Sequence, residues 1–148
     1  MNIPTYNAAI LQTKAHRILR SYVYACLHEY GLNPSYWSLI GIVGEAPAGL
    51  RPAEVARRMG VKAPLITMMA NELIARKLVK RVPHPHDGRA KLLILTKHGT
   101  LFVNQVERAL TDHLQALFSG VTIKEMTAYH RVLLAIIAND AALQALAS

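Results

Sequence analysis

The residues best placed to do chemistry lie in the run Asp87-Gly88-Arg89, followed by Leu95-Thr96-x-x-Gly99. The pattern puts Arg89 at the tip of an expected β-hairpin, directly after a helix-turn-helix pattern. A positive finger beside a helix that can enter a groove is the arrangement that reading double-stranded DNA requires.

The charge distribution agrees. Residues 51–100 hold eleven Lys/Arg against three Asp/Glu, a net of +8, which equals the net charge of the whole chain. Residues 1–50 net +1 and residues 101–148 net −1. Charge serving solubility alone would be spread out, so this concentration points to a polyanion. A membrane-surface helix would carry its cations along one amphipathic face with bulky anchors. Here they are divided among helices, a turn and a hairpin, which favours nucleic acid.

These groups need a scaffold, and 148 residues with 52% hydrophobic content suffice for one packed domain plus an interface. No apolar run nears the ~20 residues of a bilayer span, and the N-terminus lacks a signal core. The single cysteine, Cys26, excludes an intrachain disulfide, so a cytoplasmic location is expected.

The predicted elements are mainly helical. A first helix spans 6–30, with Ile10, Leu11, Ile18, Leu19, Tyr22 and Cys26 on its apolar face, and Gly31 ends it. Asn33-Pro34 opens a second helix through Trp37, Leu39, Ile40 and Val43, ending in Ala46-Pro47-Ala48-Gly49. Pro52 opens a short third helix with Val55, Ala56 and Met59, which Gly60 ends. A fourth, over 62–77, turns Ile66, Met69, Ala70 and Leu73 inward. Strands are expected over Leu78–Val82 and Lys91–Leu95, joined by a loop from Pro83 to Gly88. Thr96 caps a long fifth helix through Phe102, Val106, Leu110, Leu114 and Leu117, which Gly120 breaks. Thr122 and Glu125 form a capping-box start for a sixth through Tyr129, Leu133, Ile136 and Ile137.

Within this frame Val55-Ala56-x-x-x-Gly60-Val61 has helix-turn-helix logic: a small Ala for close crossing, a Gly for the turn, a Val as plug. With the hairpin behind it, the pattern becomes a winged helix-turn-helix. The fourth helix would enter the major groove while the wing reaches a neighbouring minor groove.

At this point the chain resembles the MarR family of transcription regulators. The resemblance rests on Asp87, Arg89, Leu95, Thr96 and Gly99 in the wing, and on Leu73 with Leu78-Val79 closing the recognition helix. It implies a single MarR-like domain over 1–148, with the winged region at 33–99 and dimerisation helices at 1–31 and 100–148. It also implies a homodimer and release of DNA by a small, often aromatic or phenolic, effector. The candidate DNA-contacting set is Arg57, Arg58, Lys62, Ala63, Pro64, Thr67, Asn71, Arg76, Lys80, Arg81, Asp87 and Arg89. Arg17, Arg20, Tyr22, His28 and Trp37 are candidate effector-binding residues, as aromatic walls with an arginine for a carboxylate. No cofactor is implied.

Several positions depart from the family pattern. Where Ser, Thr and Arg are usual along the recognition helix, this chain has Lys62, Leu65 and Met68. Asn suits adenine and Arg guanine, so weak direct reading of G·C is expected, with reliance on Arg89 in a narrow A·T-rich minor groove. Lys77 replaces a common helix-ending Gly, at a cost of up to ~1 kcal/mol if it turns left-handed.

Plainer readings compete. Arg89 could be a solvated loop residue or could pair with Asp87, and the other cations could form a solvated face. Thr67 and Asn71 could simply be exposed helix residues. Cys26 on an apolar face is more often inert core than a redox sensor. His84-x-His86-Asp87 would need further ligands to hold a metal, and no metal site is expected. Met59, Met68 and Met69 read as core or interface filler. No nucleophile-base-orienter set, phosphate loop or carboxylate pair stands out, so an enzyme is not expected. The rival of another class is a winged-helix protein-interaction module, which would need neither Arg89 nor the basic middle third.

Overall fold

The computed structural model describes residues 4–147. The chain divides into two compact units, one running to Leu114 and the other beginning at Gln115. The first holds α1 (Thr5–Glu29), α2 (Pro34–Gly44), α3 (Pro52–Met59), α4 (Ala63–Ala75), β1 (Val79–His84), β2 (Asp87–Leu95) and nearly all of α5 (Lys97–Gln115). The second holds α6 (Ile123–Ala147).

Local chemistry sets the helix ends. Asn33 accepts the backbone N–H of Tyr36 at 3.1 Å, and Pro34 fills the first helical position of α2. α2 stops at Gly44, short of the expected Pro47 region. α3 ends on Gly60 in the left-handed region, φ 66°, and the Val61 N–H then reaches back to the Ala56 carbonyl at 3.0 Å. Val61 packs on the core there, which is the plug the sequence suggests.

The same closure ends α4 with an unusual residue. Leu78 N–H donates to Leu73 O at 3.0 Å and Lys77 N–H to Ile74 O at 2.9 Å, while Lys77 itself sits at φ 59°. A glycine would hold that conformation without cost; Lys pays ~1 kcal/mol. The offset is the burial of Leu73, Leu78 and Val79, each at most 2% exposed.

The wing is longer and its turn tighter than expected. β1 and β2 pair antiparallel with Val79 opposite Leu95 and Arg81 opposite Leu93, and a bulge follows Pro83. The turn is only Pro85-His86, closed by the His86 N–H on Nδ1 of His84 at 3.1 Å. Leu50 bridges the other edge of β2 through paired bonds with Leu93. Arg89 is therefore on β2 just behind the turn, not at its tip.

The core of the first unit joins Leu39, Ile40 and Val43 of α2, Val55 and Ala56 of α3, Ile66, Met69, Ala70 and Leu73 of α4, and Val106 and Leu110 of α5. The last two tie α5 to the winged region, although the sequence groups it with the C-terminal segment. Two apolar faces stay exposed. On α1, Ile10 is 60% and Leu11 57% exposed, and among its described side chains only Cys26 and Leu27 are buried. In α6 no described side chain is buried, and Ile136 and Ile137 are 54% and 67% exposed. Helical period reports that a face needs cover; it does not say that the same chain supplies it. No helix among the described residues is long and apolar enough to cross a membrane.

Candidate nucleic-acid interface

Helix α4 and the hairpin build the site together, and Thr96 and Gly99 fix one to the other. Thr96 N–H donates to Leu78 O at 3.0 Å, its hydroxyl donates to Lys77 O at 2.6 Å, and that hydroxyl accepts the Gly99 N–H at 2.8 Å. A Cβ on Gly99 would lie 1.9 Å from the Leu78 carbonyl oxygen. The Leu-Thr-x-x-Gly run is thus a clamp that docks the start of α5 against the end of α4. It sets where the wing stands.

Asp87 anchors the other end of the hairpin. One carboxylate oxygen accepts the Arg89 backbone N–H at 3.2 Å, and the other pairs with Arg51 at 3.3 Å. Asp87 therefore orients the Arg89 backbone and neutralises Arg51, a residue the sequence reading missed. Arg51 carries no motif, and only the fold brings it to the wing. Among the described residues the Arg89 guanidinium has no hydrogen-bond or ion-pair partner, and its side chain is exposed. Lys62 and Lys80 are likewise exposed and unpaired among the described residues.

The remaining cations are not equivalent. Glu54 takes two bonds from Arg57, at 2.8 and 2.7 Å, and one from Arg58 at 2.9 Å. Those hydrogen bonds pull its carboxyl down to about 2, and Glu54 in turn raises the Arg57 guanidinium. This trio offers a phosphate one net positive charge, where the sequence counts two. Arg81 donates to Asn71 Oδ1 at 2.7 Å.

Arg76 is engaged within the chain. Its guanidinium donates to Tyr30 O at 2.8 Å and Gly31 O at 2.9 Å, and it lies 5.5 Å from the centre of the Phe102 ring. It satisfies the carbonyls just past the end of α1, where a cation is favoured. Glu72 accepts the Tyr36 hydroxyl, and that bond, more than burial, pushes the phenol up to about 12. Arg76 and Glu72 thus fasten the recognition helix to α1 and α2.

On the outer side of α4, Lys62, Ala63, Pro64, Leu65, Thr67, Met68 and Asn71 are exposed. The Thr67 hydroxyl leans back on Ala63 O at 3.3 Å. Met68 is 51% exposed, unlike the buried Met69, so it is not core filler.

The five candidate effector residues sit in different surroundings. Arg20 bonds the Tyr24 hydroxyl at 3.1 Å and stacks on that ring, and Tyr22 packs on His113 at 5.5 Å between centroids. Trp37 is half-buried against the core, while Arg17 and His28 are exposed. A cavity of about 410 Å³ lies between α2, β2 and α5, lined by Gly44, Glu45, Leu95, Val103 and Asn104 among others. Cys26 is buried, and desolvation, with Glu29 adding to it, raises its thiol above the ordinary value. Among the described residues no three His, Cys, Asp or Glu side chains are grouped to hold a metal.

A two-helix reading unit, a clamped hairpin and a free arginine behind its turn define a winged helix-turn-helix. Residues 30–90 match the family model of the MarR family. That segment, which spans most of the winged region, resembles the MarR family, and the curated relatives the chain matches are named HTH-type transcriptional regulators. The chain is 28% identical over 97 residues to the HTH-type transcriptional regulator PapX of Escherichia coli, a match that takes in 65% of this chain. That match spans only 59% of PapX's own length. Among solved structures, CouR from Rhodococcus jostii RHA1 bound to p-coumaroyl-CoA superposes with a TM-score of 0.78 at 22% identity, over 92% of this chain and 95% of CouR. A MarR variant from E. coli complexed with operator DNA superposes with a TM-score of 0.67 at 19% identity, over 90% and 99% of the two chains.

Proposed function

We propose that this chain is a sequence-specific regulator of transcription that binds double-stranded DNA as a homodimer in the cytoplasm. The observation that carries the reading is the exposed, unpartnered Arg89 guanidinium on a hairpin clamped to α4. A protein-interaction module has no use for an unneutralised cation held this firmly. Relatives named as transcriptional regulators, and a similar fold solved on operator DNA, support it.

In this reading Asn71 and Thr67 meet base edges, and Ala63 and Pro64 at the start of α4 approach them most closely. Lys62, Lys80 and the Arg57–Arg58–Glu54 trio meet phosphates. Arg89 enters the minor groove, where a narrow A·T tract deepens the negative potential. The exposed apolar residues of α1 and of α6 each find cover on a second copy. Twofold pairing would set two recognition helices ~34 Å apart and favour a palindromic site.

The finer form of the proposal is repression relieved by a small aromatic molecule. Its support is the family, together with the ligand named on CouR. Titrating labelled duplexes at increasing salt tests the core reading. Affinity should fall steeply and linearly on a log–log plot, and sedimentation should show a dimer at micromolar protein. No retention on any duplex at low salt would remove the reading.

A further inference from the structure

We infer that Arg81 is a positioning residue: by holding Asn71 Oδ1, it fixes which end of that amide faces the major groove, and so sets the base preference of the recognition helix. The inference rests on the regulator reading above. Arg81 lies on β1 and Asn71 on the exposed side of α4, and Arg81 Nη2 donates to Asn71 Oδ1 at 2.7 Å. A guanidinium has donors only, so the oxygen must face Arg81 and the Asn71 NH₂ must point away.

The orientation matters because α4 offers so little else. Between Lys62 and Arg76 the helix has no other amide and no Lys or Arg. The Thr67 hydroxyl leans on Ala63 O, and Glu72 is occupied by Tyr36. Asn71 is therefore the group on this stretch able to make two hydrogen bonds to one base. An amide read against adenine must present its acceptor to N6–H and its donor to N7, in that order along the groove. A free amide flips and offers either order. One held by Arg81 offers only one, and it pays its ordering cost before DNA arrives.

A phosphate contact by Arg81 makes different demands. It needs the charge and not the planar fork, so Lys would serve it nearly as well. The test selects duplexes from a randomised library with the full-length wild type, Asn71→Ala, Arg81→Lys and the double variant. Salt dependence is measured on the selected duplex, and thermal unfolding confirms each fold. Asn71→Ala and Arg81→Lys should both flatten preference at the same position in each half-site, from roughly tenfold or more to about twofold. The double variant should be no flatter than Asn71→Ala, and Arg81→Lys should keep the wild-type salt slope. If Arg81→Lys retains full preference at the position Asn71→Ala erases, or flattens a different position, the inference falls while the regulator reading stands. Unchanged preference in Asn71→Ala overturns it too. A wild type that binds no duplex, or selects no sequence, removes both.

Discussion

Substituting Gly99→Ala perturbs the joint between the recognition helix and the wing without touching any group expected to meet DNA. The new Cβ would lie 1.9 Å from the Leu78 carbonyl oxygen and 2.9 Å from its carbon. Both are backbone atoms, so no rotamer change relieves the overlap, and the joint must open by about 1 Å before the contact is tolerable. That opening crosses two hydrogen bonds, Thr96 N–H to Leu78 O and Thr96 hydroxyl to Lys77 O. At ~0.5–1.5 kcal/mol each, their loss or distortion costs about 1–3 kcal/mol. That is a large part of the ~5–15 kcal/mol total usual for a domain. In urea the midpoint should drop by roughly 1–2 M at an unchanged slope. Thr96→Val removes the hydroxyl but keeps the backbone bond, so it should cost about half as much. Arg89 rides on the strand that enters this joint, so DNA affinity should fall as well under conditions where Gly99→Ala remains folded. A Gly99→Ala midpoint indistinguishable from wild type would refute the clamp.

Other expectations follow from the same contacts. Arg76→Ala should lower stability by about 1–2 kcal/mol, discounted for exposure, and leave the salt slope of DNA binding unchanged. A slope reduced by about one charge would return Arg76 to the phosphates. Tyr36 has a phenol raised to about 12 by its bond to Glu72, so the neutral form is favoured in the folded state. That stabilisation is fully present below the ordinary phenol value of ~10 and is lost as pH rises through about 12. Tyr36→Phe should abolish this alkaline loss in urea midpoints taken across that range; an unchanged profile would show that the Glu72 bond is not held in solution. Cys26, buried with a raised thiol, should react with a thiol reagent only as the native state opens. Rapid stoichiometric labelling would contradict its placement.

Local chemistry made many of the helix ends legible. Asn33-Pro34, Gly60, and Thr122 with Glu125 each act within a few residues, and each caps as its type predicts. The inward face of α4 followed from period alone. What the sequence hid depends on partners distant along the chain. Arg76 finds Tyr30 and Gly31 more than forty residues away, and Arg51 finds Asp87 across thirty-six. No periodicity reports such pairs. Counting cations takes no account of their partners, and Glu54 and the carbonyls just past α1 hold several of them. The Leu-Thr-x-x-Gly pattern was visible, but its purpose was not, since only the backbone path shows a carbonyl where a side chain would be. The exposed apolar residues of α1 and α6 lie in the segments the sequence assigns to dimerisation, and helical period alone does not say what covers them.

The central claim, that a free wing arginine and a recognition helix read DNA in two different ways, is tested most directly by comparing Arg89→Ala with Asn71→Ala. Each is titrated against a selected operator duplex and a scrambled one at several salt concentrations. Arg89→Ala should weaken both duplexes alike and reduce the log–log salt slope by about 1 per half-site. Asn71→Ala should cost ~1–3 kcal/mol per half-site on the operator alone and leave the slope intact. Unchanged affinity of Arg89→Ala for both duplexes would contradict the account.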